Sequence, residues 1–309
     1  MVQMNFEYIV SEEMKKVRDI QVEMVTFLLK VCQKHNLKIW ADGGTLLGTV
    51  RHKGYIPWDD DIDLLMFRED YDKLISLADK EFHSPFFLQS AYTDKRYYRG
   101  HAQMRCDNTA AIRPDDIFSS FHQGIFIDIF VYDFVPDIPD ETWLKKLKAA
   151  DDMQRKLLIY MRNFPISLHP SQIIDYWKLK IYFSIFSPLR IYRRFENLFK
   201  DQQGNSCEHI SCPTFLREHF DRTTKDIEWY QSTIWLPFEN ISLPVPSGYD
   251  YVLRTQYGDS YMIPRKAPSY HGELIFSTEK SYKEILPGLR CQKIKELYKK
   301  FLKKFGVNG

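Results

Sequence analysis

Hydrophobic residues recur along this chain in blocks whose spacing alternates between the helical and the strand period. Between residues 11 and 35 they follow the 3.6-residue period, with Ser11 placed to cap a helix and Asn36 placed to end it. Short apolar runs predict strands at 37–41, 61–67, 86–90, 101–106 and 124–134, and a helix is predicted at 68–82. This alternation of strands and helices predicts an α/β core.

The pattern changes twice along the chain, which predicts three regions that pack as one unit. These are a core at 1–141, a helical region at 142–228 that is rich in basic and aromatic residues, and a C-terminal region at 229–309. In the last region a helix is predicted from Tyr249 to Tyr257, ended by Gly258. A basic amphipathic helix is predicted in the tail, at 291–305.

Composition narrows the class of protein. With 309 residues and 44% hydrophobic content the chain can bury a sizeable core, and its net charge of +2 argues against a dedicated nucleic-acid binder. Five scattered cysteines form no disulfide framework, and the spacing of Cys207, His209 and Cys212 fits no familiar zinc pattern. No secretory signal or membrane span is predicted, so a cytoplasmic location is expected.

The segment GGTLLGTVRHKGYIPWDDDIDLLMF, at 43–67, carries the densest chemistry. In a strand, Asp61 and Asp63 share one face, and two adjacent carboxylates repel each other unless a cation lies between them. Oxygen ligands favour Mg²⁺ or Mn²⁺. Asp128 is the single charged residue of the apolar run GIFIDIF and is the candidate for a third ligand.

Several alternatives to this metal site are open. An acidic loop can simply be solvated, and Asp128 can instead pair with an arginine in the core. A calcium loop is excluded, because Leu64 stands where an EF-hand needs glycine and Asp70 stands where it needs glutamate.

A glycine turn precedes the aspartates. Gly43 and Gly44, followed by Thr45, let the backbone approach a bound group and expose the first amides of a helix to an anion. Together with Arg51 and His52 this turn is a candidate phosphate cradle. Arg51 can equally form a salt bridge to a nearby aspartate, and His52 is at least as well explained as a structural residue.

These residues resemble the central motif of the LicD family of bacterial phosphocholine transferases, to which the fukutin-type ribitol-phosphate transferases are related. The likeness extends to GIFIDIFVYDF and to LPVPSGYDYVLRTQYGDSYMIPRKAPSYH. It implies a nucleotidyltransferase-like mixed sheet flanked by helices, with a helical insertion and a C-terminal extension that completes the site. In that family pattern the Gly-Gly turn, Asp61 and Asp63, and Asp128 are the matching elements, with Asp61, Asp63 and Asp128 as ligands of Mg²⁺ or Mn²⁺.

The resemblance also implies a reaction. Phosphocholine would pass from CDP-choline to a hydroxyl of a cell-surface glycan precursor of the teichoic acid, capsule or lipopolysaccharide type, with release of CMP. Asp61, Asp63, Asp128 and Arg51 would be catalytic, and Gly43, Gly44, Thr45, His52, Trp58, Tyr257 and His271 would bind the donor. Open alternatives are CDP-ribitol, CDP-glycerol or a nucleoside triphosphate as donor, and a non-catalytic scaffold.

Two further expectations concern partners. A quaternary ammonium is best held by aromatic rings, and Trp58 is the first candidate because it adjoins the aspartates. The other aromatic candidates are Trp40, Tyr55, Tyr92, Tyr97, Tyr98 and Tyr132. Lipid-linked acceptors and the basic amphipathic segments suggest peripheral association with the inner face of the plasma membrane.

Overall fold

The computed structural model describes residues 8–163, 170–200, 207–215, 223–266 and 273–304. Its helices are α1 (Glu12–His35), α2 (Gly43–His52), α3 (Arg68–Ser76), α4 (Ala78–Glu81), α5 (Glu141–Met161), α6 (Pro170–Ile185), α7 (Pro188–Lys200), α8 (Tyr249–Tyr257) and α9 (Tyr282–Lys304). Its strands are β1 (Trp40–Ala41), β2 (Asp63–Phe67), β3 (Phe86–Gln89), β4 (Ala102–Cys106), β5 (Ala110–Ile112), β6 (Phe126–Val135), β7 (His209–Ser211), β8 (Lys225–Asp226), β9 (Thr233–Phe238), β10 (Ile241–Pro246) and β11 (Ile275–Ser277).

The central sheet is mixed and flanked by helices, as predicted. Its strand order is β1-β2-β6-β4-β3, and the long strand β6 also pairs with β7, which pairs with β8. Strands β2 and β6 are parallel, whereas the other neighbours in this sheet are antiparallel. Two antiparallel pairs lie outside it, the β9–β10 hairpin and the pair of β5 with the distant strand β11.

One row of polar residues crosses four strands of the sheet in register. Asp63 on β2 pairs with Asp128 on β6, Asp128 with Gln103 on β4, and Gln103 with Gln89 on β3. Residues directly opposite one another point to the same face of a sheet, so the four side chains line one face. Polar groups in such a buried row need partners, which marks this face as the place to look for a site.

Helix α1 and helix α8 confirm their sequence predictions. The Ser11 hydroxyl accepts a hydrogen bond from the amide of Met14, and Asn36 ends α1 in the left-handed conformation with φ of 53°. Gly258 ends α8 with φ of 80°.

Two boundaries differ from those predicted for the core. Strand β2 begins at Asp63 rather than at Asp61, because strand β1 ends at Ala41, opposite Leu64, and leaves earlier residues with a neighbour on the β6 side alone. The helix predicted at 68–82 is split at Leu77, which has φ and ψ of −89° and −1°. The amide of Leu77 donates a hydrogen bond to the carbonyl of Leu74.

The tail helix also differs from the prediction. It begins at Tyr282 because that residue and Leu286 pack against β5, and it continues through Pro287. Ile294 and Tyr298, from the predicted apolar face, are exposed, and Phe305 lies outside the described residues.

Helices α5 and α7 bury a second hydrophobic cluster, which includes Tyr97, Phe121 and Val135 from the core. Helix α6 presents an exposed apolar stripe, formed by Ile174, Trp177, Ile181 and Ile185. Within the described ranges, no helix is both long enough and apolar enough to cross a membrane. The three predicted regions and peripheral membrane association stay predictions.

Candidate active site

Three carboxylates converge where β2 and β6 begin to pair. Asp63 and Asp128 face each other across the parallel pair, and Asp61 lies two residues before the start of β2. One oxygen from each of the three lies within 4.8 Å of the others. Asp59, Asp60 and Asp61 form a second group with the same spacing, so Asp61 belongs to both. The structure therefore assembles the predicted carboxylate triad, with Asp61 supplied by the loop instead of the strand.

The glycine turn is packed directly against these carboxylates. Gly43 has a φ of +51°, and a Cβ placed there would lie 3.1 Å from Oδ2 of Asp63. A Cβ at Gly44 would lie 2.6 Å from Oδ2 of Asp59, closer than such contacts allow. The Thr45 hydroxyl accepts a hydrogen bond of 2.8 Å from the amide of Asp63. A Cβ at either glycine would displace a carboxylate, and the positive φ of Gly43 favours glycine, so the turn and the aspartates form one packed unit.

Electrostatics at the triad favours a bound cation. Burial raises the pKa of Asp63 well above its usual range, and the charges of Asp61 and Asp128 raise it further. Burial also acts to raise the pKa of Asp128. The contact with His101, the charge of Arg113 and the hydrogen bond from Gln103 together outweigh it and lower that pKa to about 2. The donor set is oxygen-only, which fits Mg²⁺ or Mn²⁺ held by Asp61, Asp63 and Asp128.

Two side chains of helix α1 bind backbone carbonyls of the acidic loop. The Arg18 guanidinium donates to the carbonyls of Ile56, Pro57 and Asp59 at 3.2, 2.9 and 2.7 Å. Gln21 is fully buried and donates to the carbonyl of Asp60 at 2.9 Å. The sequence reasoning missed both residues, although a glutamine that interrupts the apolar face of an amphipathic helix is a usable signal.

A buried lysine stabilises the residue before the glycine turn. Asp42 occupies the N-cap position of α2, but its carboxylate does not cap the helix. It accepts hydrogen bonds from Nζ of the fully buried Lys225 at 2.5 Å and from the Tyr132 hydroxyl at 2.8 Å. Because Asp42 is engaged this way, its side chain does not cover the first amides of α2. Nothing in the sequence around Lys225 signalled this role.

Arg51 and His52 lie away from the carboxylates. A helix rises about 1.5 Å per residue, so Arg51 is about 12 Å further along α2 than Gly43. Its Nη1 donates to the carbonyl of Tyr261 at 2.7 Å, and its Nε donates to Nδ1 of His52 at 3.3 Å. Burial lowers the pKa of Arg51, whereas the nearby Tyr257 raises it. The structure thus brings Arg51, His52 and Tyr257 together, at the C-terminal end of α2.

The remaining predicted site residues differ in how far they are exposed to solvent. Trp58 is half-buried and packs on the edge of the core, with its ring 6.5 Å from that of Tyr8. Tyr92 is exposed, whereas the other aromatic candidates for a choline cage are buried, namely Trp40, Tyr55, Tyr97, Tyr98 and Tyr132. His271 lies outside the described residues.

Asp128 is oriented by neutral donors along the polar row. Nε2 of Gln103 donates to Oδ1 of Asp128 at 2.5 Å, and Arg105 donates to the carbonyl oxygen of the Gln103 side chain. Arg105 also donates through Nε to Gln89 at 2.9 Å. His101 places Nε2 at 3.2 Å from the same oxygen of Asp128. The sequence reasoning missed these residues, although Gln103 and Arg105 alternate with apolar neighbours in a strand.

A glycine turn opening a helix, with carboxylates on two neighbouring strands of a mixed sheet, is the arrangement that the sequence analysis expected of a nucleotidyltransferase-like domain. Residues 36–156 match the family model described as the LicD/FKTN/FKRP nucleotidyltransferase domain. The chain therefore contains a domain of the LicD family.

Individual relatives agree with this assignment. The chain is 25% identical over 261 residues to the lipopolysaccharide cholinephosphotransferase LicD of Haemophilus influenzae, covering 79% of this chain and 89% of that protein. It is 40% identical over 48 residues to the ribitol 5-phosphate transferase FKRP of Homo sapiens and of Mus musculus, covering 16% of this chain and 10% of each of those proteins.

Proposed function

We propose that this protein transfers phosphocholine from CDP-choline to a hydroxyl of a cell-surface glycan precursor and releases CMP, using Mg²⁺ or Mn²⁺. The observation that carries the proposal is the convergence of Asp61, Asp63 and Asp128 beside the Gly43–Gly44 turn. The similarity to a cholinephosphotransferase over most of both chains favours choline as the transferred group.

The reaction balances with the groups at hand. The acceptor oxygen forms a bond to the phosphorus that carries choline, the bond from that phosphorus to the bridging oxygen breaks, and CMP leaves with the electron pair. A carboxylate of the triad takes the proton from the hydroxyl of the glycan acceptor. A bound divalent cation supplies the positive charge that the diphosphate and the three carboxylates require. The amides at the start of α2 bind phosphate oxygens, since Asp42 is held by Lys225.

A second donor class has its own support. The local similarity to ribitol 5-phosphate transferases makes CDP-ribitol the alternative to CDP-choline. The chemistry at phosphorus is the same for both donors. An enzyme can therefore distinguish them only through the pocket that binds the transferred alcohol.

A donor panel tests the proposal. The protein is incubated with Mg²⁺, a glycan acceptor and, in separate reactions, CDP-choline, CDP-ribitol or CDP-glycerol, and CMP release is followed. We expect CDP-choline to be preferred, and Asp63→Asn to reduce turnover about a thousandfold or more. The matched control is Asp19→Asn on the exposed side of α1, which should turn over normally. Full turnover by Asp63→Asn would overturn the metal-site assignment.

A further inference from the structure

Buried polar groups without partners concentrate next to Asp128. In the part of the chain that the structure describes, the Tyr97 hydroxyl, Nε of Arg99 and Nδ1 of His101 have no hydrogen-bond partner. Tyr97 is fully buried and His101 is 7% exposed. More than nine in ten buried polar groups in folded proteins are paired, so the unpaired Tyr97 hydroxyl and Nε of Arg99 point to a missing acceptor.

These groups are neighbours. The His101 ring lies 6.3 Å from the Tyr97 ring, and Nε2 of His101 lies 3.2 Å from Oδ1 of Asp128. Tyr97 and Arg99 both pack on Phe121, at 5.7 and 5.9 Å from the ring centroid. The unpaired donors therefore form one cluster that touches the carboxylate site through Asp128.

Two further guanidinium groups border the cluster. Arg105 and Arg113 lie 4.6 and 5.7 Å from the ring centroid of Phe126, which precedes Asp128 by two residues and shares its face of β6. Arg105 is bound by Gln89 and by the carbonyl of Gly124. The Arg113 guanidinium, by contrast, makes neither a hydrogen bond nor an ion pair with any described residue, and it lies over the Phe126 ring. Its planar fork is available for a ligand.

The charged residues of this cluster also affect the pKa of the Tyr97 hydroxyl. Burial raises the pKa of the Tyr97 hydroxyl, and the charge of Asp128 raises it further, whereas Arg99, Arg105 and Arg113 act to lower it. The unpaired hydroxyl thus lies near Asp128 and among three arginines, of which Arg99 is ion-paired with Asp116. A cationic ligand would be repelled by the arginines, and an apolar ligand would leave the donors unpaired.

We propose that Tyr97, Arg99 and Arg113, bordered by His101, form a phosphate-binding subsite on the β4 side of Asp128. The inference rests on the proposed function, because the phosphate it would hold is that of the transferred group. The subsite is cationic and donor-rich, and it faces Asp63 across Asp128, so a phosphate there has positive groups on one side and the metal ligands on the other. Arg113 supplies the bidentate contact and the Tyr97 hydroxyl donates one hydrogen bond.

The first test measures binding of inorganic pyrophosphate by calorimetry at saturating Mg²⁺. We expect Arg113→Gln to weaken binding by about 10- to 100-fold, since a charge-assisted contact is lost. The control is Arg194→Gln, which removes the same charge from an exposed position on α7 and should bind normally. Equal affinity of Arg113→Gln and the wild type would overturn the subsite.

A second test separates a ligand-binding hydroxyl from a structural one. Tyr97→Phe removes a buried hydroxyl that has no partner, so the free protein should unfold at the same or a higher temperature, while pyrophosphate affinity falls by about three- to tenfold. The control is Tyr98→Phe, because the Tyr98 hydroxyl donates to the carbonyl of Lys95 at 2.9 Å. That variant should lose some stability and keep its affinity. A Tyr97→Phe protein that is less stable when free, with unchanged affinity, would show that a structural water satisfies the hydroxyl and would overturn the proposal.

Mn²⁺ binding, followed by electron paramagnetic resonance, distinguishes this inference from the proposed function. We expect Arg113→Gln to bind Mn²⁺ normally and Asp63→Asn to bind it weakly. If Asp63→Asn loses Mn²⁺ and turnover while Arg113→Gln keeps its pyrophosphate affinity, only the subsite is wrong. If Asp63→Asn keeps both, the proposed function is wrong.

Discussion

Strand β6 carries two buried aspartates whose hydrogen-bond and ion-pair partners differ. Asp128 and Asp133 are 4% and 1% exposed, and their odd separation places them on opposite faces of the strand. Asp133 receives both arms of a guanidinium fork, from Nε and Nη2 of Arg68 at 2.8 and 2.7 Å. Asp128 receives a hydrogen bond from the neutral Gln103 and faces Asp63.

The difference separates a structural carboxylate from one suited to a cation. Arg68 is also bound by Glu196 at 3.1 Å, so the ion network joins β6, α3 and α7 and is complete within the protein. Among the described residues, no lysine or arginine forms an ion pair with Asp128. The alternative of a core arginine partner, left open for Asp128 by the sequence, therefore describes Asp133. Buried charges are kept when they are compensated. Contacts within the protein lower the pKa of Asp128, whereas the pKa of Asp63 is raised, so we expect a ligand to compensate Asp63.

The largest expected effect on stability is at Asp133. Asp133→Asn leaves the buried Arg68 without its bidentate partner, so the free energy of unfolding should fall by about 3–5 kcal/mol. Chemical denaturation measures the loss, and Mn²⁺ affinity of the folded fraction should be unchanged. A matched change on the other face, Asp63→Asn, should instead leave the metal-free protein at least as stable as the wild type. If both variants lose equal stability, the contrast between the two faces is wrong.

A change at Gln103 tests the contrast between Asp128 and Asp133 through a smaller effect, on metal affinity. Gln103→Met keeps the side-chain volume but removes the hydrogen bond to Asp128, so Mn²⁺ affinity should fall by about 10- to 100-fold, as for other residues that orient metal ligands. Gln123→Met is the control, because Gln123 is buried but donates to the carbonyl of Asp116 at 3.0 Å instead. It should lose stability and keep its Mn²⁺ affinity. Equal Mn²⁺ affinity in both variants would mean that Asp128 is held without Gln103.

The carboxylate half of the site was predictable because its signals are local. A two-residue period placed Asp61 and Asp63 together, and a single charge in an apolar strand marked Asp128. The convergence of Asp63 with Asp128 depended on β2 and β6 being neighbours, which the structure confirms, whereas Asp61 reaches the site from the loop before β2. Gly43 was predictable for the same reason, since a glycine before a helix permits a positive φ.

The cationic half was not predictable, because tertiary contacts define it. Tyr97 lies in the loop before β4 and Arg113 directly follows β5, so only the tertiary fold brings them near Asp128. Lys225 reaches Asp42 across a long stretch of chain. Arg51 attracted attention by closeness in sequence, but the length of α2 carries it to the carbonyl of Tyr261. Proximity along the chain is a weak guide once a helix of several turns intervenes.

The smallest effect is a pH dependence that arises from the raised pKa of Asp63. Its pKa is raised in the folded protein, first by burial and then by Asp61 and Asp128. Such a group stabilises the fold below its unfolded pKa of about 3.9, and this contribution is lost as the pH rises through the folded value. Measured with a chelator present, the melting temperature of Asp63→Asn should therefore exceed that of the wild type by a margin that widens as the pH rises above about 4.

Metal ions provide the control for this titration. Saturating Mg²⁺ or Mn²⁺ binds the ionised triad of the wild type, so the margin should shrink or reverse when either ion replaces the chelator. Asp19→Asn, with its exposed carboxylate, should follow the wild type at every pH. A margin that stays constant with pH in the chelator would mean that Asp63 is ionised at no cost without a cation. The repulsion that distinguishes it from Asp133 would then be absent.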